Sequence, residues 1–254
     1  ACALAPPPAK VEAPLPAAWQ APLAHNGSIA DLSQWWSTQG DPLLVQLIAS
    51  SQQASPTVAA AAARIEAARA QRVAAGAALL PGVDGFASVS RASQQSTLPG
   101  GTTSQLGLQA AWEIDLFGAR RGERNAAQER LSGARSLWHD ARVSVAAETA
   151  NQYYSLRACE QLLAVAVQDA ASRGDTARLT DLSANAGFQA PANASLARAS
   201  AADASSRATQ QRAQCEIDIK ALVYLTGLAE PALRQQLAAS KAVQPSALAI
   251  GALP

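Results

Sequence analysis

The chain has 254 residues, a net charge of +1, 49% hydrophobic residues, and only 4% aromatic and 15% charged residues. That length allows one large domain or two small ones, and a charge near zero argues against a nucleic-acid binder, which needs a basic face to neutralise phosphates. No apolar run reaches the roughly 18 residues of a spanning helix, because Arg or a turn residue interrupts every Ala-rich stretch; a spanning β-barrel, whose strands escape hydropathy, stays open. Much of the apolar share is Ala, and small side chains in such numbers suit closely packed helices.

Residues 1–30 form a Pro-rich leader without periodicity, marked by Pro6-Pro7-Pro8, Pro14, Pro16 and Pro22. The chain contains no Met, so a processed or cut N-terminus is expected. Ala1-Cys2-Ala3 ahead of this leader has the form of a bacterial lipoprotein signal after its apolar part has gone. In that reading Ala1 is the last signal residue and the Cys2 thiol takes a diacylglyceryl group, each buried CH2 adding about 0.8 kcal/mol of membrane affinity. The alternative is a free N-terminal Cys of no consequence.

Residues 31–81 read as a short helix and a longer one. Asp31-Leu32-Ser33-Gln34-Trp35-Trp36 opens a helical stretch, and Asp41-Pro42 supplies an N-cap and first-turn Pro ahead of Leu43, Leu44, Leu47 and Ile48. Ser55-Pro56 repeats the signal before an amphipathic run from about Thr57 to Leu80, which Pro81-Gly82 ends.

Over residues 82–117 the period changes to two. Leu106, Leu108, Ala110, Trp112, Ile114 and Leu116 alternate with polar or small residues over 105–116, which predicts a strand with one apolar face. Its length exceeds the usual strand of about 5–6 residues and fits the roughly 9–11 that cross a bilayer. Val83, Gly85, Ala87 and Val89 give a weaker partner strand, in which Phe86 breaks the alternation. Gln94 to Ser104, with Leu98-Pro99-Gly100-Gly101, reads as a polar loop between them. A half-buried soluble hairpin is the alternative, although its polar face would ordinarily carry more Lys and Glu.

Residues 118–228 read as two helices. The first runs from about Ala119 to Ala186, roughly 100 Å at about 1.5 Å per residue, which requires a bundle, coiled coil or helical barrel. Its apolar residues form two stripes, Ala134, Trp138, Ala141 and Val145 on one flank and Val143, Ala146, Ala150, Tyr153 and Leu156 on the other. A helix with two apolar flanks has two neighbours, as a stave does. Gly187-Phe188-Gln189-Ala190-Pro191 is a turn, and the second helix extends from about Ala192 to Leu225, with Gly227 as its C-terminal stop. Residues 229–254 read as a connecting segment.

Cys159 lies 28 residues before Gly187 and Cys215 lies 28 after it. In an antiparallel hairpin this places them at one height, where a disulfide is possible in an oxidising compartment; two buried free thiols are the alternative.

Candidate chemistry is sparse. His25 lies in the leader and His139, beside Asp140, on the long helix, where a solvated His is expected. No CxxC, HExxH, P-loop or GxSxG pattern occurs. Glu113 and Asp115 share a strand face, where lining a wet lumen is the simpler reading than acid–base work. Asn26-Gly27-Ser28 and Asn193-Ala194-Ser195 match a glycosylation triplet of little weight here. No enzymatic activity, cofactor or metal is expected.

Several segments together resemble a known family. They are the Cys2 leader ending in Ala17-Ala18-Trp19, Trp35-Trp36 followed by Asp41-Pro42-Leu43, Ala63-Arg64-Ile65, and Ala78-Leu79-Leu80-Pro81. Trp112-Glu113-Ile114-Asp115-Leu116-Phe117-Gly118 is the most specific, joined by Tyr153-Tyr154-Ser155-Leu156-Arg157 and Ala221-Leu222-Val223-Tyr224-Leu225-Thr226-Gly227. In order and spacing they resemble the TolC-type outer-membrane efflux factors, in the lipoprotein branch similar to OprM and NodT. The resemblance implies an α+β, mainly α fold: a long antiparallel helical hairpin of α-barrel staves plus one transmembrane β-hairpin, half of a TolC-like protomer.

The resemblance also implies a homotrimer in the outer membrane, lipid-anchored, with helices in the periplasm. Such a duct passes solutes from an inner-membrane pump through a periplasmic adaptor. The matching adaptor-contact tip is Gly187, Phe188, Ala190, Asn193, Leu196, Ala197 and Ala199, and the lipid-facing strand carries Leu106, Leu108, Trp112, Ile114 and Leu116. The alternative for the tip is that Gly187 only turns the chain while Phe188 packs beneath it. Family members hold two tandem strand-and-helix repeats, and this sequence matches only the N-terminal one. A fragment of a longer factor is therefore expected, with a hexamer of halves as the alternative. The competing functional class is a periplasmic helical lipoprotein acting as scaffold or tether, without a pore.

Overall fold

The computed structural model describes residues 35–38, 40–92 and 101–240. Cys2, His25, the Asn26-Gly27-Ser28 triplet, Leu98-Pro99-Gly100 and the segment after residue 240 lie outside the described residues. The described elements are, in order, α1 (Trp35–Thr38), α2 (Pro42–Ala54), α3 (Pro56–Ala77), β1 (Gly82–Ala92), β2 (Gly101–Ala111), α4 (Ala119–Asn185), α5 (Pro191–Thr226) and α6 (Glu230–Ala239). They divide into two units, residues 60–140 and residues 35–59 with 141–240.

The second unit is built by four helices around one apolar core. Asp41 starts α2, its Oδ1 accepting from the Leu43 N–H at 3.0 Å and the Leu44 N–H at 3.2 Å, with Pro42 in the first turn where no N–H is needed. The next start signal works the same way: Ser55 Oγ accepts from the Val58 N–H at 3.3 Å. Leu43, Leu44, Leu47 and Ile48 of α2 meet Ala146, Ala150, Tyr153, Leu156 and Cys159 of α4, and Cys215, Ile219 and Leu222 of α5. This is one of the two flanks of the long helix, although Val143 at its upper end is 67% exposed. The other flank, Ala134, Trp138, Ala141 and Val145, is half-buried.

Residues 230–239 correct the expectation of a plain connector. They form α6, whose Leu233 and Leu237 are fully inside the core. One helical turn separates these two leucines and Pro231 sits in the first turn, a pattern too short for periodicity alone to distinguish from a loop.

Buried and half-buried polar side chains around the core find partners within it. Thr149 Oγ1 donates to Ser51 Oγ at 2.8 Å, Gln52 Nε2 donates to the Arg142 carbonyl at 3.0 Å, and Gln152 Nε2 donates to Asp218 Oδ1 at 3.1 Å. Tyr153 is the largest fully buried residue, and its hydroxyl donates to Asp41 Oδ2 at 2.6 Å. Burial, reinforced by that bond, raises the Tyr153 phenol above its ordinary range. Burial works against the charge on Arg157, but its hydrogen bonds to Tyr153 and Glu160 outweigh it and raise the guanidinium.

A raised acid keeps its proton in the folded state after the unfolded chain has lost it. The stabilising share of Tyr153 is therefore complete below the unfolded pKa of about 10 and declines as pH rises toward the higher folded value. Denaturant melts between pH 8 and 11 should show this alkaline loss, and Tyr153→Phe should flatten that part of the profile while lowering stability by about 1–3 kcal/mol at neutral pH.

Candidate functional site

The β-hairpin belongs to the first unit. β1 and β2 pair antiparallel along their whole lengths, Gly82 opposite Ala111 and Ala92 opposite Gly101. Directly opposed residues share a face. One face therefore carries Val83 with Ala110, Gly85 with Leu108, Ala87 with Leu106 and Val89 with Ser104; the other carries Asp84 with Gln109, Ser88 with Gln105 and Ser90 with Thr103. Eleven residues per strand rise about 35 Å, which at a tilt of about 45° covers the roughly 25 Å apolar band of an outer-membrane barrel.

Phe86, the residue that breaks the alternation, is explained by its partner. It lies opposite Gly107 on the polar face, and a Cβ built on Gly107 would come within 2.5 Å of the Phe86 ring. Glycine leaves the space that the ring occupies over the neighbouring strand. Leu106 and Leu108 stay 88% and 82% exposed, a cost in water of roughly 25 cal/mol per Å² of apolar surface. The sheet has two strands among the described residues, so each strand keeps an open outer edge.

The strand ends at Ala111, earlier than alternation predicts. Trp112, Ile114 and Leu116 follow it in a connector, where all three are exposed. Pro81 lies just before Gly82 and has no N–H to donate, so the ladder stops there. The connector has its own bonds. Trp112 Nε1 donates to the Leu79 carbonyl at 3.2 Å. Asp115 accepts from the Arg120 N–H at 3.3 Å and the Arg121 N–H at 2.9 Å, which makes it the N-terminal cap of α4. Glu113 lies 3.5 Å from Arg120 Nη2. The two carboxylates thus fasten the junction to the long helix, a role that strand periodicity concealed. His139 is exposed beside Trp138, with ring centroids 4.9 Å apart.

The helical hairpin belongs to the second unit. The turn at its tip is built by Gly187 at φ +80°, with the Gly187 N–H donating to the Ala184 carbonyl at 3.0 Å and the Phe188 N–H donating to the Ser183 carbonyl at 2.9 Å. These two bonds satisfy two of the last carbonyls of α4, and the positive φ favours glycine. Phe188 is 84% exposed, so it does not pack beneath the turn. Ala190, Asn193, Leu196 and Ala199 are exposed as well, and Ala197 is half-buried.

Small residues let the helices approach: Ala177, Ala194, Ala204 and Ala208 are buried. Cross-helix pairs follow the same register, Arg173 donating to Ser200 at 2.8 Å and Arg198 lying 3.4 Å from Asp181. Cys159 and Cys215 are disulfide-bonded, with Cα atoms 5.6 Å apart. Leu162, Val165, Leu179 and Leu182 of α4, and Ile217 and Tyr224 of α5, point away from this pairing and are exposed. No helix among the described residues is long and apolar enough to cross a membrane.

Residues 47–228 match the outer membrane efflux protein family. The chain belongs to this family. The pyoverdine export outer membrane protein OpmQ of Pseudomonas putida is 33% identical over 180 residues, which cover 65% of this chain and 37% of OpmQ. The probable efflux pump outer membrane protein TtgC of the same species is 30% identical over 244 residues, covering 91% of this chain and 50% of TtgC. Among solved structures, the CmeC outer membrane channel of Campylobacter jejuni superposes with a TM-score of 0.78 at 24% identity, over 92% of this chain and 52% of CmeC. The chain spans half or less of the length of these two relatives. Its fold is half of a TolC-like protomer, mainly helical with one two-stranded antiparallel sheet.

The disulfide generates a direct test. Non-reducing peptide mapping should recover the Cys159 and Cys215 peptides as one species, and Cys159→Ser should lower the unfolding free energy of the oxidised protein by about 2–4 kcal/mol. Free thiols in protein from an oxidising compartment would contradict it.

Proposed function

We propose that this chain contributes wall strands and a helical stave to an outer-membrane efflux conduit. The observation that carries this reading is the register of β1 and β2, which gathers the valines and leucines of both strands on one side and leaves the other polar except for Phe86 over Gly107. In this reading residues 82–117 stand in the membrane and residues 118–228 reach into the periplasm. Leu106 and Leu108 face lipid, with Trp112, Ile114 and Leu116 at its periplasmic border.

The exposed apolar residues of α4 and α5 would pack against neighbouring staves, and the open strand edges would pair with neighbouring strands, since lipid leaves no backbone group unsatisfied. Closure therefore calls for further repeats, in a trimer of full-length subunits or a hexamer of halves. The tip at Gly187, Phe188, Ala190, Asn193, Leu196, Ala197 and Ala199 would meet a periplasmic adaptor, which links the conduit to an inner-membrane pump; the turn presents Phe188 outward, as such a contact requires. Cys2 would carry the lipid anchor. The protein then passes solutes and performs no chemistry of its own.

Two lysine substitutions on opposite faces test the reading. Leu108→Lys should block outer-membrane assembly, at a cost of about 2–4 kcal/mol near the midplane, while Gln109→Lys on the polar face assembles normally. Equal tolerance of both, with folded helices by circular dichroism, would overturn the conduit and favour the pore-free periplasmic tether.

A further inference from the structure

A buried polar network in the second unit is centred on Asp41, Tyr153 and Arg157. Asp41, at the start of α2, is buried and uses both carboxylate oxygens. Oδ1 caps Leu43 and Leu44, and Oδ2 accepts the Tyr153 hydroxyl at 2.6 Å. The same hydroxyl oxygen accepts from Arg157 Nε at 3.2 Å, one helical turn along α4. Arg157 Nη2 then donates to the carbonyls of Leu237 at 3.2 Å and Ser240 at 3.4 Å, the closing end of α6. Nη1 pairs with Glu160 at 2.9 Å, and the guanidinium lies 5.2 Å from the Tyr153 ring centroid.

An acidic group thus sits at the N-terminus of one helix and a guanidinium at the C-terminus of another. These are the positions that the two helix dipoles favour, and one tyrosine hydroxyl joins them. The planar guanidinium serves three directions at once, which a lysine ammonium on a flexible stem does not reproduce. Buried networks of this kind are cooperative, because loss of one member leaves the others' polar atoms unsatisfied.

We propose that Arg157 and Tyr153 form a mechanical link that makes the docking of α2 and α6 on α4 one cooperative event, so that neither helix loosens alone. Arg157 is a positioning residue in this device. Its own hydrogen bonds run to Tyr153, Glu160, Leu237 and Ser240, and its influence on α2 passes through the phenol. Two segments at opposite ends of the described chain are thereby fixed together on the helix that carries the tip.

Residue-resolved hydrogen exchange on the whole chain tests this. Arg157→Gln should speed exchange of the Leu43 and Leu44 amides about tenfold or more, the scale expected for a lost charged hydrogen bond, although Arg157 bonds to neither. Asp41→Ala should speed exchange of the Ser240 amide, which bonds to the Gln236 carbonyl at the far end of the relay. Tyr153→Phe keeps the ring and removes the shared oxygen; it should loosen both sites by itself and abolish the effect of Arg157→Gln on Leu43 and Leu44. Arg157→Lys should fail to restore protection. If Arg157→Gln loosens α6 amides alone, or if Tyr153→Phe loosens one end only, the link does not exist. Tyr153→Phe decides the matter if Arg157→Gln fails to fold.

Discussion

The pairing of β1 with β2 sets the terms for the rest of this protein. A side chain on a strand alternates between two faces, so the register determines which residues share a surface. Here the register places Leu106 opposite Ala87 and Leu108 opposite Gly85, and puts Asp84 opposite Gln109 on the reverse. A slip of one residue would mix leucines with glutamines and remove the apolar wall. Phe86 over Gly107 holds the register from the polar side, since its ring fits only where the partner lacks a Cβ. A sheet with one greasy face and two open edges is costly in water and incomplete in lipid, and both faults are relieved by further strands in a membrane.

The helical parts serve a different constraint. Long helices that pack as staves need close approach and more than one neighbour. Buried Ala177, Ala194, Ala204 and Ala208 allow the first, and the exposed leucines and valines of α4 are the surface that the proposed assembly would use for the second. Asp115 caps α4 and begins a helix of 67 residues directly after the hairpin. At the other end Gly187 reverses the chain, with the Ser183 and Ala184 carbonyls taken up by the turn. Within the second unit, α2 and α6 pack with α4 and α5 in the core that includes Tyr153 and Leu156.

Much of this was legible from residue spacing. The Asp41-Pro42 and Ser55-Pro56 signals, the Gly187 turn and the Gly227 stop each rest on local chemistry that acts within a few residues, and each lies where its pattern indicates. The β-hairpin was legible because alternation is local as well. What spacing missed depends on contacts distant in sequence. Alternation alone carried β2 on to Leu116, whereas the ladder stops where β1 runs out at Pro81 and where Asp115 is taken up by α4. Helix α6 was unreadable because only two leucines mark it, and their meaning comes from the core they enter. The Asp41, Tyr153 and Arg157 relay was invisible as a unit, since Asp41 stands 112 residues before Tyr153 and only the fold brings them together.

The account depends most on one face of the hairpin meeting lipid. Cysteine substitution at each position of 103–110, probed in outer-membrane vesicles with a lipid-soluble and a membrane-impermeant thiol reagent, measures this directly. The account predicts strict alternation, with positions 104, 106, 108 and 110 reached from lipid and 103, 105, 107 and 109 reached from water. Uniform aqueous labelling of all eight positions would contradict it.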